Sequence, residues 1–506
     1  MVASMPVRAE FPSLATYLAN NLTPDELSSV GLLSFNQWDF TLGALIEAAL
    51  TAHDLGSRVT VGFWADRTPV HDPGWTTSRW AARLTLTRGK DENAARALIA
   101  AGLPSASIAA PPIKRWHPHG LPALPEPLTR TAIRGLDYHS SGMGRSILQV
   151  HPDANTPIRD DYVWPRRWIE KSMTSYAWVF DQTTALINER GITALVVYNG
   201  RFTHDRAAAA AATAAGVRVL YYDAGGLETA FDLTFATTHD WADLQQRMIR
   251  MWDGWDEPER AEIGASWFTN RREHKEPGLE VFVGSQTRGH LGDLPDAEQL
   301  VVFFSSSGDE IVELELDWAD YLHSQEQALA DLATACAARP GTQLVVRTHP
   351  HMRLKPADDL AEWMAAVEAA APAQHFDPYS PVDSYELMRA ADIVFTYGST
   401  SGVESAFVGK PVVVMGPSAY DLLGCAQRIT SMSEIPALLE THPITEPQRS
   451  LLYGLMMQRR GFNFAYITRR SDGVMQAGGV ALTDAREIAR KISHAVRLRT
   501  TRRLTA

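Results

Sequence analysis

A repeated order of segments constrains this chain most. A short apolar run is followed by a polar loop, a segment of helical spacing, and a second apolar run. It first occurs at Val30–Phe35, the loop Asn36–Asp39, then Phe40–His53 with Leu42, Leu45, Ile46 and Leu50 on one face, and Val59–Trp64. Gly56 marks the end of that helix. An uninterrupted apolar run fits a strand covered on both sides, and a helical crossover makes its neighbour parallel. The order returns at Ala194–Tyr198, helix Asp205–Ala215 and Val217–Tyr222. It then fills the second half. There Val301–Phe304 leads through a helix at Trp318–Ala337 to Gln343–Val346, and helices at Pro356–Ala370 and Ser384–Ala390 precede Ile393–Thr396. Helix Gly402–Val408 and strand Pro411–Met415 complete the series. The expected fold class is α/β, with two Rossmann-like domains built on parallel sheets.

At 506 residues the chain suits several domains. The expected division is an N-terminal Rossmann-like domain over 1–285, a second over 286–445, and C-terminal helices over 446–506 that cross back toward the first. Residues 65–166 are rich in Pro, Trp, His and Gly and read as a loop-rich insertion with one helix near Asp91–Ala101. The net charge of -12 argues against a nucleic-acid partner. Two cysteines, Cys336 and Cys425, are too few for a disulfide scaffold or a zinc site of their own. Met1–Glu10 lacks the pattern of a secretory leader, and no apolar run reaches membrane-spanning length, Ala207–Ala215 being the nearest approach. A cytoplasmic protein is expected. From Arg486 the chain carries Arg490, Lys491, Arg497, Arg499, Arg502 and Arg503 against few acids. That stretch is either a solvated helix face or a peripheral contact with an anionic membrane.

In open parallel sheets, ligands bind beyond the carboxyl ends of the strands. After Ile393–Thr396 comes Tyr397-Gly398-Ser399-Thr400-Ser401-Gly402-Val403-Glu404. Its glycines allow close backbone approach, its hydroxyls and amides suit phosphate, and Glu404 suits a pair of sugar hydroxyls. After Gln343–Val346 come Arg347 and His349, both suited to phosphate charge. Ser305, Ser306 and Ser307 follow Val301–Phe304 and line either a phosphate pocket or a plain turn. In the first half, Asn199, Arg201 and Arg206 follow Ala194–Tyr198. Asp223 ends Val217–Tyr222, and Asp39 follows the first strand. Either aspartate suits a general base, Asp223 first, or a helix cap or ion-paired loop residue.

The segment YGSTSGVESAFVGKPVVVMG, starting at Tyr397, resembles the donor-binding segment of bacterial capsule and surface-polysaccharide glycosyltransferases of the GT-B fold. The resemblance extends to VVFFSSSGDE at Val301–Glu310 with Trp318 and Gln325, VVRTHPH at Val345–His351, YNGRF at Tyr198–Phe202 with Arg206, and Arg460–Phe462. It implies two domains facing a cleft and sugar transfer from a nucleotide-sugar donor to a glycan or lipid-linked acceptor. It also implies no resident metal or cofactor, in keeping with the lack of a His or Cys ligand cluster in the sequence. Similarity to capsular sialic-acid and Kdo transferases implies an acidic base before a glycine in the first domain and a His-Pro near the donor in the second. Asp223 and His349 stand at those places, although the chain reads Asp-Ala-Gly where that subgroup has two acids before the glycine. A teichoic-acid-type polyol-phosphate transferase, a nucleotide-sugar 2-epimerase and a non-catalytic nucleotide-sugar binder are the alternative readings.

Overall fold

The computed structural model describes residues 13–36, 38–65, 80–150, 161–273, 275, 286–307, 313 and 324–483. The chain forms two compact units. The first runs to Thr238 and resumes at Arg460, and the second is His239–Arg459. The division thus falls at Thr238 and not near residue 286, because two helices ahead of the second sheet pack with that sheet's unit.

The first unit opens with helices α1 (Leu14–Asn21) and α2 (Pro24–Leu27). A Rossmann-like half follows: β1 (Ser29–Ser34), α3 (Asp39–Asp54) and β2 (Arg58–Phe63). Then come α4 (Trp80–Ala100), α5 (Arg130–Arg134), α6 (Met143–Leu148) and α7 (Arg166–Arg190). Finally β3 (Ala194–Tyr198), α8 (Thr203–Ala214), β4 (Arg218–Ala224) and β5 (Ala230–Thr234) complete its main run. The β2, β1, β3 and β4 strands are parallel neighbours in that order, and β5 adds an antiparallel edge. The central strands β1 and β3 are buried on both faces, as their unbroken apolar runs require. One face packs on α3 and the other on α7 and α8.

The expected loop-rich insertion contains more core than its composition promised. Leu128, Ile133, Leu136, Tyr138, Met143, Ile147, Leu148 and Trp164 are buried in one cluster with α7. The helix expected near Asp91–Ala101 is the C-terminal half of α4.

The second unit begins with α9 (Trp241–Asp253) and α10 (Glu259–Arg272). Its sheet is built from β6 (Gln299–Phe304), α11 (Gln325–Ala337), β7 (Thr342–Arg347), α12 (Ala357–Ala370), β8 (Gln374–Phe376), α13 (Ser384–Ala390), β9 (Ile393–Thr396), α14 (Ser401–Phe407), β10 (Val412–Val414) and β11 (Gln427–Arg428). Helices α15 (Ile435–Thr441) and α16 (Ser450–Arg459) follow, α16 lying against α10. All six strands are parallel, in the order β8-β7-β6-β9-β10-β11. Counted within the unit this is 3-2-1-4-5-6, the doubly wound order of dinucleotide-binding sheets.

The final segment is not the set of helices expected over 446–506. After α16 the chain re-enters the first unit as β12 (Phe462–Asn463), which pairs antiparallel with β5. A small sheet of β13 (Thr468–Arg469), β14 (Met475–Ala477) and β15 (Val480–Ala481) follows. Gly461 permits the return. Its φ is +92°, and a Cβ there would lie 2.3 Å from the Phe231 carbonyl oxygen. The buried Glu47 of α3 anchors the segment by accepting from the N–H groups of Ala465, Tyr466 and Ile467 at 2.7, 2.9 and 3.2 Å. Burial pushes its pKa up, and the three N–H groups pull the other way. The basic residues from Arg486 onward lie outside the described residues, as does Trp318.

Candidate functional site

Each six-stranded sheet has one switch point, where the chain leaves two adjacent strands toward opposite faces. In the second unit it lies between β6 and β9, and both strands end in hydroxyl-rich loops. Thr396 Oγ1 donates to the Phe304 carbonyl at 3.0 Å and accepts from the Ser399 N–H at 3.1 Å, so it ties the two loops together. Ser305 is buried. Its N–H donates to the Arg347 carbonyl and its Oγ accepts from the His349 N–H at 2.8 Å. Gln325, at the start of α11, holds the Ser306 backbone from both sides, accepting at 2.6 Å and donating at 3.4 Å. These bonds leave Ser306, Ser307, Thr400 and Ser401 half-buried at the strand ends, with His349 beside them.

His349 caps the short 3-10 helix Pro350–Leu354, and its Nδ1 accepts from the His351 N–H at 3.2 Å. An Nδ1 that accepts carries no proton, so the neutral ring holds its proton on Nε2.

Several expected ligand contacts serve the fold instead. Arg347 is 1 % exposed, and its guanidinium donates to the carbonyls of Asp377 and Ser380 in the loop after β8. Burial draws its pKa down to about 10. It is a strut that ties the end of β7 to the loop after β8. Glu404 is buried and ion-paired with Arg271 of α10 at 2.5 Å, with the Tyr385 hydroxyl close to it. Its carboxylate therefore joins α10 to α14 in place of holding sugar hydroxyls. The glycines expected to admit a ligand admit protein. At Gly398, φ is +79° and a Cβ would stand 1.9 Å from the Pro417 carbonyl oxygen. At Gly402 it would stand 2.1 Å from the Tyr420 hydroxyl, which donates to the Ser399 carbonyl. Ser399 is buried and takes the Ser401 N–H on its Oγ at 3.4 Å. Tyr397 is half-buried, its ring behind Gly416, and burial raises its hydroxyl to about 12.

In the first unit the switch point lies between β1 and β3. Asn36, just after β1, donates to Asp205 at the start of α8 at 3.2 Å. Asn199 is buried and closes its turn by accepting from the Arg201 N–H at 3.0 Å. Gly200, at φ +74°, lets that turn press on the Tyr221 ring. The Arg201 guanidinium sits 4.9 Å above the Phe202 ring, and Arg206 carries its charge toward Tyr221. Asp223 is half-buried at the end of β4, where its Oδ1 accepts the Ala224 N–H at 2.7 Å, and the Tyr198 hydroxyl lies near its carboxylate. Burial, then the charges of Asp223 and Asp205, push the Tyr198 hydroxyl well above its ordinary range, so it remains a donor. Cross-strand register sets Asp232 opposite Asp223 on the same sheet face. Gly225 is required there, since a Cβ would meet the Ala230 backbone at 2.7 Å.

Asp39 is the weaker base by geometry. Lys90 of α4 binds its Oδ1 at 3.0 Å, and the Thr483 hydroxyl donates to the same oxygen. Its bonds are those of an ion-paired helix start. The structure thus brings Tyr198 and Trp38 to the Asp223 side of the unit, two residues the sequence reading did not single out as site residues. The aromatic of YNGRF was the available signal for Tyr198.

Residues 308–437, all within the second unit, match the family model described as capsule polysaccharide biosynthesis protein. Over that unit the chain is therefore similar to capsule polysaccharide biosynthesis proteins. No curated protein matches it. Among solved structures, KpsC of Thermosulfurimonas dismutans, a beta Kdo 2,4 transferase, matches at 16% identity and a TM-score of 0.35, over 52% of this chain and 79% of that one. The beta Kdo 2,7 transferase of the same KpsC matches at 15% identity and 0.33, over 54% and 80%. The UDP-GlcNAc 2-epimerase of Methanocaldococcus jannaschii matches at 10% identity and 0.29, over 84% and 97%.

Proposed function

We propose that this protein is a glycosyltransferase of capsule or surface-polysaccharide synthesis, of the metal-independent GT-B type. It moves a sugar from a nucleotide-sugar donor to a hydroxyl of a glycan or lipid-linked acceptor. The observation that carries this reading is the β6/β9 switch point, whose half-buried Ser306, Ser307, Thr400 and Ser401 stand on a sheet of dinucleotide-binding order, the last two within the matched segment.

In this reading the donor diphosphate or phosphate lies over those hydroxyls, and His349 offers its Nε2 proton to the departing nucleotide oxygen. Asp223, oriented by the Ala224 N–H, takes the proton of the attacking acceptor hydroxyl. The acceptor carbon–oxygen bond forms as the donor's glycosyl–phosphate bond breaks, and the nucleotide leaves with the bonding pair. Contact of the basic residues from Arg486 with an anionic membrane belongs to the same proposal, and equal binding of full-length and truncated chains to phosphatidylglycerol vesicles would remove it.

The test is a thermal-shift panel of CMP, CDP, UDP, GDP and TDP, since a ligand of the native state raises the melting temperature. A shift with one nucleotide, followed by release of that nucleotide from its sugar conjugate only when saccharide acceptor is added, supports transfer. A shift without acceptor-dependent release points to an epimerase or a binder. No shift with any nucleotide removes the donor site.

A further inference from the structure

We propose that Trp38 is the stacking platform for a pyranose ring of the saccharide acceptor, a subsite resting on the transferase reading given above. Trp38 ends the loop after β1 and caps α3, so it stands at the first unit's switch point. It is 39 % exposed, the only tryptophan among the described residues left this open. Its position is nonetheless fixed. The Trp38 carbonyl accepts from the Leu42 N–H at 3.1 Å and the Thr41 hydroxyl at 2.8 Å. Its ring meets Tyr198 edge-on at 5.7 Å and Phe202 edge-on at 6.2 Å, and those two rings stack on each other at 6.0 Å.

An exposed indole held by two buried rings is preorganised apolar area, and the C–H face of a pyranose is a natural complement to it. The polar groups of a sugar site are on the same residues. The hydroxyl of Tyr198, whose ring supports Trp38, lies near the Asp223 carboxylate. The guanidinium of Arg201 lies over Phe202, and its Nε has no acceptor among the described residues. A few directed polar groups beside an aromatic surface are the composition of a small-molecule site. A ring on Trp38 would have its hydroxyls within the reach of Arg201 and of the Tyr198–Asp223 pair.

The full-length protein labelled with 5-fluorotryptophan gives a fluorine resonance for Trp38, assigned by its loss in Trp38→Phe. Titration with the methyl pyranosides of glucose, galactose, N-acetylglucosamine and rhamnose should move that resonance with at least one sugar. Trp38→Ala should weaken saturation-transfer binding of that sugar by about tenfold, and Trp38→Phe by much less. The nucleotide thermal shift should be the same in all three proteins. A Trp38 resonance that none of the sugars moves, or a Trp38→Ala variant that binds the sugar like wild type, overturns the platform. Sugar binding at Trp38 with no nucleotide shift keeps the platform and removes the transferase reading instead.

Discussion

Replacing Gly398 with alanine separates two roles for a glycine at a strand end. If the glycine makes room for a ligand, alanine leaves the unliganded fold intact and weakens binding. The structure gives the other role. A non-glycine residue at φ +79° costs roughly 1–2 kcal/mol. The added Cβ starts 1.9 Å from the Pro417 carbonyl oxygen, and overpacking of this kind costs about 1–3 kcal/mol more. The sum, about 2–5 kcal/mol, should lower the melting transition of the second unit by about 5–15 °C. Differential scanning calorimetry without ligand measures it. Relief of the clash also moves Ser399 and Thr400, and a displacement near 1 Å lowers turnover by about a hundredfold. An unliganded Gly398→Ala protein that melts with wild type while losing its nucleotide shift would falsify the packing argument. The ligand-approach role would then stand.

Glu404→Ala leaves the Arg271 guanidinium without its carboxylate, which should destabilise the second unit by about 3–5 kcal/mol in urea unfolding. Glu47→Leu removes the acceptor of three N–H groups, at about 1–3 kcal/mol for each that water does not reach. Amide exchange over Ala465–Ile467 should accelerate at least tenfold in that variant, and unchanged protection would count against the anchor. Because burial raises the Glu47 pKa, native structure binds its proton more tightly than the unfolded chain does. Relative to Glu47→Gln, wild type should therefore gain stability as pH falls from neutral through the raised value. Asp223→Asn should lower turnover about 10²–10⁴-fold at unchanged melting temperature, whereas Asp39→Asn should stay within a few-fold of wild type and melt earlier.

The parallel strands were legible because a strand buried on both faces must be written as an unbroken apolar run. Ser384–Ala390 and Ile393–Thr396 have in the structure the bounds read from the sequence. Helix α9 was not read from the sequence; Leu244, Met248 and Met251 are buried along one side of it, and its membership in the second unit depends on tertiary packing. The site was legible only as strand ends. Which side chains there stay open depends on distant partners. Lys90 engages Asp39, Arg271 engages Glu404, and the loop after β8 engages Arg347. None of those pairings is encoded in local spacing. The two-residue β12 has no signal of its own either, because its strand character exists only against β5.

The return of the chain to the first unit has a consequence for how the protein is made. During synthesis from the N-terminus, the second unit is complete once Arg459 has left the ribosome, while the first still lacks its last strands. Until Ala465–Ile467 arrive, the carboxylate of Glu47 has none of its three N–H donors and the outer edge of β5 is unpaired. The part translated first is therefore finished last. A chain arrested near residue 459 should yield a folded second unit attached to a first unit that is prone to edge-to-edge association.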